Sequence, residues 1–290
     1  MSAALAAALS DALGRAVAQL APVPGGDLND AYAATLADGA RVFVKTSADP
    51  AAAGSFAAEA DGLRWLADAD AVPVPDVLAL ADGASGPRFL ALRWIDYGPS
   101  TPAADEALGR GLAQLHGAGA PTFGGPHAEL RIGPITLPNE PAADWPRFYV
   151  TRRLEPLARL AHERGALPPE APQLLDRLAA RLPELAGPSE PPARIHGDLW
   201  SGNVLTDARG APWLIDPAAH GGHRELDLAM LRLFGGPSER CFAAYEEVAP
   251  LAPGANERVA LWQLAPLLLH AALFGPSWGA RAADVMRRYA

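Results

Sequence analysis

The sequence is poor in three things: cysteine, lysine and long uninterrupted apolar segments. Its one cysteine, Cys241, excludes an intramolecular disulfide framework and fits a reducing compartment such as the cytoplasm. A lone cysteine within a helical pattern is more typical of a small buried residue than of a catalytic thiol. The sequence therefore gives no reason to expect thiol chemistry.

The apolar segments are all too short to cross a bilayer. The first, Ala3 to Leu9, follows no basic segment, and Asp11 and Arg15 interrupt it at helical spacing. We therefore expect an amphipathic helix over residues 2–20 rather than a signal peptide. The stretch over residues 261–273 is broken by polar residues and a proline, and falls short of the roughly 18 apolar residues that a span needs. No membrane partner is expected.

The charge balance is acidic, with a formal net charge of -9 and a pI of about 5.2. A surface of this sign does not attract nucleic acid or anionic membranes, so neither is expected as a partner. An anionic ligand such as ATP must then be held by a few local groups rather than by the general surface.

Lysine is nearly absent, since 23 of the 24 lysine and arginine residues are arginine and the exception is Lys45. An ammonium group is a compact point charge that fits between a phosphate and a carboxylate, whereas guanidinium is wider and planar. The exception at position 45 therefore marks this residue as a candidate phosphate-positioning group.

Three polar side chains with the spacing of a phosphoryl-transfer site lie within residues 194–217. Asp198 is followed five residues later by Asn203, and a short apolar strand then leads to Asp216. In kinases, residues of these types in this order act as proton acceptor and as two metal ligands. Asp198 is therefore predicted to accept the proton of a substrate hydroxyl. Asn203 and Asp216 are predicted to bind Mg²⁺, which prefers oxygen ligands.

A metal-hydrolase site is the alternative for the same stretch, because imidazoles and carboxylates also bind catalytic metals. Neither an H-E-x-x-H motif nor a paired Cys/His spacing supports it, and we expect His196 to brace the loop instead. The residues that such a site would use are His196, Asp198, Asp216, His220 and His223.

The first third of the chain reads as an antiparallel meander followed by a helix. Gly25 and Gly26 form a glycine turn whose exposed N–H groups suit phosphate oxygens. Lys45 lies on the third strand, and the helix predicted over residues 54–68 carries Glu59. A strand lysine paired with a helix glutamate positions phosphates in kinases, so we expect a Lys45–Glu59 pair.

Two further strands, over residues 77–81 and 88–95, complete this part of the chain. The composition then changes at a predicted linker, where Arg93 and Trp94 are candidates for nucleotide contact through backbone groups. Later patterns are mostly helical, apart from a Gly/Pro-rich loop over residues 117–141. Helices are expected over 103–116, from 144 onward, and over about 170–185, 225–234, 238–248, 255–274 and 278–289.

This order of patterns predicts an α+β fold with two unequal lobes. The smaller lobe, over residues 1–95, contains the antiparallel sheet, the glycine turn, the lysine strand and the glutamate helix. The larger lobe, over residues 96–290, is mainly helical and contains the candidate catalytic loop. A cleft between the lobes is expected to bind the substrates.

Several strings resemble the fructosamine kinase (ketosamine-3-kinase) family. The most specific is His-Gly-Asp-Leu-Trp-Ser-Gly-Asn at residues 196–203, although H-G-D-x-x-x-x-N alone is shared with aminoglycoside and choline kinases. Two further features make the resemblance specific to the fructosamine kinase family rather than to that wider group. They are the Leu-Trp-Ser insert and the run His-Arg-Glu-Leu-Asp-Leu-Ala-Met at residues 223–230. The resemblance extends from about residue 20 to residue 275, with further similar strings at 25–32, 43–46, 56–59 and 145–149.

The resemblance implies a protein-kinase-like fold that transfers the γ-phosphate of ATP, with Mg²⁺, to the 3-hydroxyl of a ketosamine such as a ribulosamine or fructosamine. The phosphorylated adduct of the small amine or protein then breaks down, which amounts to deglycation. Some relatives carry a cysteine in the glycine turn linked to redox-sensitive dimers, and this chain has none there. The resemblance assigns Asp198 as proton acceptor, Asn203 and Asp216 as metal ligands, Lys45 with Glu59 as phosphate-positioning pair, and Gly25 and Gly26 as phosphate loop.

On the substrate side, Trp200 is expected either to stack on a sugar or to fill the core. His220, Glu225 or Asp227 is expected to reach sugar hydroxyls or the linking amine. Glu225 and Asp227 could instead cap the helix that begins there, and Asp227 is the one for which a structural role is favoured. The remaining alternatives are an aminoglycoside- or choline-type phosphotransferase and a nucleotide-binding protein without turnover. A monomer is expected, with an oligomer left open.

Overall fold

The computed structural model describes residues 2–24, 30–83, 86–125 and 127–290. An antiparallel sheet occupies the first third, and the remainder is mainly helical with three two-stranded pairs among the described residues. The predicted α+β class, with a sheet lobe and a helical part, is confirmed.

The sheet has five strands in the order β1-β2-β3-β5-β4, and all neighbours are antiparallel. Two helices accompany it, α1 (Ser2–Leu13) and α2 (Ser55–Ala67). The strands are β1 (Val17–Pro22), β2 (Asp30–Leu36), β3 (Arg41–Ser47), β4 (Val77–Ala81) and β5 (Arg88–Arg93).

Alternate side chains of β3 belong to two apolar cores. Val42 and Val44 are buried with the apolar residues of α1, whereas Phe43 packs against a cluster formed by α2 and the helical part. Because successive strand residues point to opposite faces, Lys45 shares the face of Phe43. Lys45 therefore points toward α2 and the helical part of the chain.

The helix predicted over residues 2–20 is shorter than expected. α1 ends at Leu13, and Gly14 follows it with a φ of 63°. A left-handed glycine readily terminates a helix. The next residues then pair with β2, which satisfies their backbone groups and makes them strand β1. The expectation of helix beyond residue 13 was wrong for this reason.

The described residues of the helical part contain nine α-helices and six short strands. A single π-helical turn, Val150–Leu154, joins α4 to α5. The helices are α3 (Pro102–Gly117), α4 (Trp145–Tyr149), α5 (Glu155–Glu163), α6 (Ala171–Leu185), α7 (Arg224–Leu233), α8 (Glu239–Val248), α9 (Ala255–Trp262), α10 (Leu264–Phe274) and α11 (Pro276–Tyr289). The strands are β6 (Glu129–Ile132), β7 (Ile135–Pro138), β8 (Ala193–Ile195), β9 (Val204–Thr206), β10 (Pro212–Leu214) and β11 (His220–Gly222).

Two expectations for this part were wrong in detail. The supposed loop over residues 117–141 contains the hairpin of β6 and β7, turned at Gly133, which has a φ of 56°. The single helix expected over residues 255–274 is two helices with a break at Gln263. A proline ring clashes with the carbonyl four residues earlier, so Pro266 prevents one continuous helix through Trp262.

Two small strand pairs bring the candidate catalytic residues together. β8 pairs with β11, and β9 pairs with β10, both antiparallel. The loop between β8 and β9, residues 196–203, therefore lies beside the segment between β10 and β11, residues 215–219. The N–H of Ile215 donates to the carbonyl of Asn203 at 3.0 Å, which ties the two segments to each other.

The sheet lobe and the helical part share one apolar cluster. It contains Phe56 and Leu63 of α2 together with Leu199, inside the loop of residues 196–203, and Leu214, at the end of β10. Packing of this kind fixes the position of the sheet relative to the catalytic loop.

Within the described residues, no helix is long and apolar enough to cross a membrane. A lobe boundary at residues 95 and 96 stays a prediction, and the last strand of the sheet ends at Arg93.

The contact between α3 and α8 gives a test of the packing. A Cβ on Gly109 would lie 2.0 Å from the carbonyl oxygen of Cys241, which is backbone and has no room to move. Gly109→Ala is therefore expected to lower the free energy of unfolding by about 1–3 kcal/mol, although Ala is usually the better helix former. Denaturant unfolding monitored by circular dichroism measures this change.

Gly117, at the end of the same helix, is the matched control, since a Cβ there would meet no heavy atom within 4 Å. Gly117→Ala should leave the free energy of unfolding unchanged or slightly higher. Equal destabilisation of the two variants would contradict the close approach of α3 to α8.

Candidate active site

Asp227 of α7 holds the candidate catalytic loop in place. Its carboxylate accepts hydrogen bonds from the N–H of His196 at 2.7 Å and from the N–H of Gly197 at 2.9 Å. His116 of α3 contacts the same carboxylate through Nε2 at 3.2 Å. Burial alone would raise the pKa of Asp227, but the hydrogen bond and charge of His116 lower it below its usual value. Asp227 is thus a buried anion with satisfied acceptors.

The loop of residues 196–203 closely approaches the backbone of residues 215–219, which form the second segment of the site. Gly197 has a φ of 82°, and a Cβ there would lie 2.1 Å from the carbonyl oxygen of Ala218. Both the left-handed conformation and the lack of space require glycine at this position.

His196 braces the loop through both ring nitrogens. Nε2 donates to the carbonyl of Ile215 at 2.9 Å, and Nδ1 accepts from the N–H of Asp198 at 3.3 Å. Burial lowers the pKa of His196, so the ring is neutral and this pattern matches one tautomer. The expected bracing position is the one the structure shows.

The metal-hydrolase alternative loses support from the positions of the imidazoles. His196 is occupied as described, and Nδ1 of His220 contacts the carbonyl of Ala218 at 2.8 Å. His223 caps α7 by accepting from the N–H of Glu225 at 3.3 Å. Among the residues that the structure describes, no three His, Cys, Asp or Glu side chains are grouped as a metal site.

Asp198 lies half-buried in the loop, next to Asn203. Nδ2 of Asn203 donates to the backbone carbonyl of Asp198 at 2.8 Å and to its carboxylate at 3.3 Å. Burial, followed by the negative charge of Asp216, raises the pKa of Asp198 to about 6. The carboxylate is therefore a stronger base than an exposed aspartate and is held in a fixed orientation, as a proton acceptor needs.

Asn203 and Asp216 present oxygen atoms suited to a hard cation. Because Nδ2 of Asn203 binds Asp198, its Oδ1 is the atom left for a ligand, and none of the described residues donates to it. Asp216 has a φ of 56°, a conformation that aspartate tolerates better than most residues. One amide oxygen and one carboxylate fit Mg²⁺, which retains waters and phosphate oxygens as its other ligands.

Lys45 connects the sheet, α2 and the second site segment. Its Nζ donates to Oε1 of Glu59 at 2.7 Å and to Oδ1 of Asp216. Burial acts to lower the pKa of Lys45, but the charges of Glu59 and Asp216 outweigh it and raise the pKa. Burial is also the main reason that the pKa of Glu59 is raised. The predicted Lys45–Glu59 pair is present, and its role toward phosphates stays a prediction.

The expected nucleotide contacts divide into three groups. Gly25 and Gly26 lie outside the described residues. Trp94 packs near Phe43, on the face of β3 that carries Lys45, with 6.4 Å between ring centroids. Arg93 pairs across the sheet with Val42 and forms an ion pair with Asp76 at 3.5 Å. Its guanidinium group also packs over the ring of Trp213 in β10, 5.4 Å from the ring centroid, and a role of Arg93 in nucleotide binding stays a prediction.

Trp200 lies at the surface beside Asp198 rather than in the core. Its residue is 40% exposed, and its ring covers Gly202, where a Cβ would lie 2.2 Å from the ring. Phe234 contacts it edge-on at 6.1 Å between centroids, and His270 lies 4.8 Å from Phe234. Of the two alternatives for Trp200, filling the core was wrong, and stacking on a sugar stays a prediction. Phe234 and His270 were missed, since nothing in the local sequence links them to residue 200.

Glu225 is not available to a substrate. It is 4% exposed, and its carboxylate accepts from Arg258 at 2.5 and 2.9 Å and from Nε1 of Trp262 at 2.7 Å. These bonds occupy both oxygens with a paired charge in the interior. The predicted contact with a sugar is therefore corrected to a link between α7 and α9. The helix-capping alternative also fails, because His223 caps α7.

Together, the sheet lobe, the Lys45–Glu59 pair and the Asp198, Asn203 and Asp216 loop define a protein-kinase-like phosphotransferase. The same fold is present in a crystal structure of a thermostable variant of aminoglycoside phosphotransferase APH(4)-Ia with ADP and hygromycin B. That structure matches with a TM-score of 0.66 at 19% identity, over 98% of both chains.

The chain belongs to the fructosamine kinase family, whose sequence model matches residues 1–290. A crystal structure assigned as a fructosamine-3-kinase from Thermobifida fusca YX-ER1 is 46% identical, with a TM-score of 0.91 over 98% of this chain and 97% of that chain. An Enterococcus faecium protein assigned as a ketoamine kinase is 34% identical, over 92% of this chain and 94% of the relative. The ketosamine-3-kinase of Mus musculus is 30% identical, over 86% of this chain and 88% of the relative.

The role of Asp198 can be tested by removing its charge while keeping its shape. Asp198→Asn is expected to lower kcat by about 10²- to 10⁴-fold, because the substrate hydroxyl loses its proton acceptor. Nucleotide affinity, measured by titration calorimetry with ADP, should stay close to that of the wild type. Asp176→Asn, an exposed position on α6, is the control and should leave kcat unchanged. Retained turnover in Asp198→Asn would refute the assigned role.

The geometry around Lys45 predicts that its charge alone is not sufficient. The ammonium group lies between two carboxylates in a site that leaves its side chain 9% exposed. A guanidinium group is too wide for this space, so Lys45→Arg should lower kcat/KM for ATP by roughly tenfold or more. The control is Arg15→Lys, at an exposed ion pair with Asp38, which should not change the rate. Wild-type kinetics in Lys45→Arg would mean that the lysine is interchangeable.

Proposed function

We propose that this chain is an ATP-dependent kinase that phosphorylates the 3-hydroxyl of a ketosamine, such as a ribulosamine or a fructosamine. One observation carries the proposal: Lys45 binds both Glu59 and Asp216, Asn203 binds Asp198, and the backbone N–H of Ile215, next to Asp216, joins the two groups by donating to Asn203. Family membership supports the choice of acceptor. The proposed setting is the cytoplasm, in keeping with a single unpaired cysteine, and the proposed active species is a monomer.

In the proposed reaction, the acceptor hydroxyl oxygen forms a bond to the γ-phosphorus of ATP. The bond between that phosphorus and the β,γ-bridging oxygen breaks, and ADP leaves. The hydroxyl proton passes to the carboxylate of Asp198, which Asn203 holds in place at 3.3 Å. The raised pKa of Asp198 suits it to receive this proton.

The phosphate side depends on Lys45, Asn203 and Asp216. Mg²⁺, when bound to the oxygens of Asn203 and Asp216, neutralises the phosphate charge. Lys45 is oriented by Glu59 and reaches the same place from the sheet lobe. The glycine turn at residues 25–26 is proposed to cover the phosphates with backbone N–H groups.

For the acceptor, the exposed ring of Trp200 follows the proton acceptor by two residues and has Phe234 at its edge. Aromatic faces of this kind pack well against the C–H surface of a sugar, so we propose that the carbohydrate lies along Trp200. Phosphorylation at the 3-hydroxyl would prepare the adduct for breakdown to the free amine, and the resulting function is deglycation.

A panel of acceptors tests the proposed function. Release of ADP from ATP-Mg²⁺ should depend on a ribulosamine or a fructosamine and should be at least about tenfold slower, by kcat/KM, with an aminoglycoside or choline. Phosphorus NMR of the product should place the phosphate on the 3-hydroxyl, and free amine should then appear.

Asp198→Asn, assayed with the same acceptors, shows how much ADP release is unrelated to the site. Activity with aminoglycosides but with no ketosamine would reject the proposed acceptor class. Nucleotide binding without ADP release under any acceptor would instead indicate a binding protein without turnover.

A further inference from the structure

A cavity beside the catalytic loop has no role in the reaction described so far. It extends from Asp198 into the helical part, between the hairpin of β6 and β7, α7 and α10. The residues that matter for its chemistry are Asp198, His220 and Arg153, with Leu137, Met230 and Leu269 among its apolar walls. A polar group placed in this cavity would lie next to the group that accepts the substrate proton.

The ring of His220 leaves one nitrogen without a partner. Nδ1 contacts the carbonyl of Ala218 at 2.8 Å, and because a carbonyl only accepts, Nδ1 must carry the hydrogen. Nε2 is then an acceptor, and within the described part of the chain it is buried without any hydrogen-bond donor. The residue as a whole is 1% exposed. A buried acceptor of this kind is normally satisfied, so a donor from outside the chain is required.

The charge state of the ring is fixed by its surroundings. Burial, followed by the positive charge of Arg153, lowers the pKa of His220 to about 3. The imidazole is therefore neutral at any working pH, and Nε2 keeps its lone pair. This nitrogen can receive a hydrogen bond but cannot bind an anion through charge.

Arg153 is a fixed, buried cation close to this nitrogen. It lies in the π-helical turn, donates to the carbonyl of Pro138 at 2.7 Å and to Oδ1 of Asn139 at 2.8 Å, and packs over the ring of Phe148 at 4.5 Å. Phe148 in turn packs beside His220, with 6.0 Å between ring centroids. Arg153 disfavours an ammonium group at Nε2, whereas the carboxylates of Asp198 and Asp227, which also line the cavity, favour one. A neutral hydroxyl can donate to Nε2 and depends on neither charge.

The size of the cavity limits what can enter. It offers about 30 Å³ to the centres of water-sized molecules, where a single water needs roughly 10–15 Å³. There is room for one or two hydroxyl-sized groups but not for a whole sugar ring. An acceptor would thus place one end of its polyol chain here, while the rest remains outside.

We propose that this cavity is a specificity subsite that receives one hydroxyl of the acceptor's polyol chain, near the phosphorylated position, as a donor to Nε2 of His220. The inference rests on the proposed function, because it takes the acceptor to be a ketosamine. It assigns His220 to a sugar hydroxyl and not to the linking amine.

Two substitutions separate this role from a structural one. Asn places its amide nitrogen where Nδ1 lies, so His220→Asn keeps the bond to Ala218 and removes the acceptor at Nε2. Gln places its amide oxygen near Nε2, so His220→Gln keeps the acceptor and loses the bond to Ala218. A purely structural histidine predicts that Asn is tolerated and Gln is not, whereas the subsite predicts the opposite order for acceptor recognition.

The measurement is kcat/KM for a fructosamine on a small amine and for its 4-deoxy, 5-deoxy and 6-deoxy analogues. We expect the wild type to lose about tenfold to a hundredfold on one of the three analogues. The kcat/KM of His220→Asn for the parent fructosamine should be lower than that of the wild type by the same factor. It should not fall further with the analogue that the wild type discriminates against. His220→Gln should recover part of the discrimination. The KM for ATP should stay unchanged in both variants, and His127→Asn at an exposed histidine should behave as the wild type.

A spectroscopic readout does not depend on turnover. With ¹⁵N-labelled histidine and a non-hydrolysable ATP analogue, the Nε2 resonance of His220 should shift when the fructosamine is added and should not shift with the discriminated deoxy analogue. Equal discrimination of the deoxy compounds by wild type and His220→Asn, or no shift of Nε2, would overturn the subsite. A wild type that phosphorylates no ketosamine would instead reject the proposed function, and the subsite with it.

Discussion

The buried carboxylate of Asp227 is the constraint on which the catalytic loop depends. It accepts from two consecutive backbone N–H groups, those of His196 and Gly197, and so fixes where the loop leaves β8. His116 on α3 completes its hydrogen bonds and is itself held by the hydroxyl of Tyr245 at 2.9 Å. Three helices, α3, α7 and α8, thereby determine the position of Asp198. A buried charge is tolerated here because His196, Gly197 and His116 together satisfy its oxygens.

The second constraint crosses between the lobes. Lys45 comes from the sheet, Glu59 from α2 and Asp216 from the helical part, so the ammonium group joins two elements of the sheet lobe to a residue 171 positions away. The apolar cluster around Phe56, Leu199 and Leu214 encloses this contact. Because packed interiors resist small displacements, the same packing that stabilises the fold also keeps the phosphate side in register with the proton acceptor.

The sequence was informative where chemistry depends on local spacing and less so where it depends on distant partners. Asp198, Asn203 and Asp216 lie within one short stretch, and the Lys45–Glu59 pair spans 14 residues. Asp227, in contrast, meets a histidine 111 residues away, and Glu225 meets an arginine 33 residues away. Nothing in the local pattern of α7 could tell which of its two carboxylates anchors the loop. The β6–β7 hairpin was missed because four-residue strands are too short for a period to emerge.

The choice of an amide at position 203 follows from the electrostatics of the site. Glu59 and Asp216 place two carboxylates on one ammonium group, Asp198 adds a third carboxylate nearby, close enough for Asp216 to affect its pKa, and Asp227 holds the loop from behind. The negative charge of Asp216 already contributes to raising the pKa of Asp198. A second carboxylate as metal ligand, in place of Asn203, would raise that pKa further and would also repel the phosphates of ATP. In the proposed reaction, Asn203 would supply a ligand oxygen without charge, while its Nδ2 donates to Asp198 and favours the ionised carboxylate. One neutral side chain would thus serve both the proposed metal and the proposed proton acceptor.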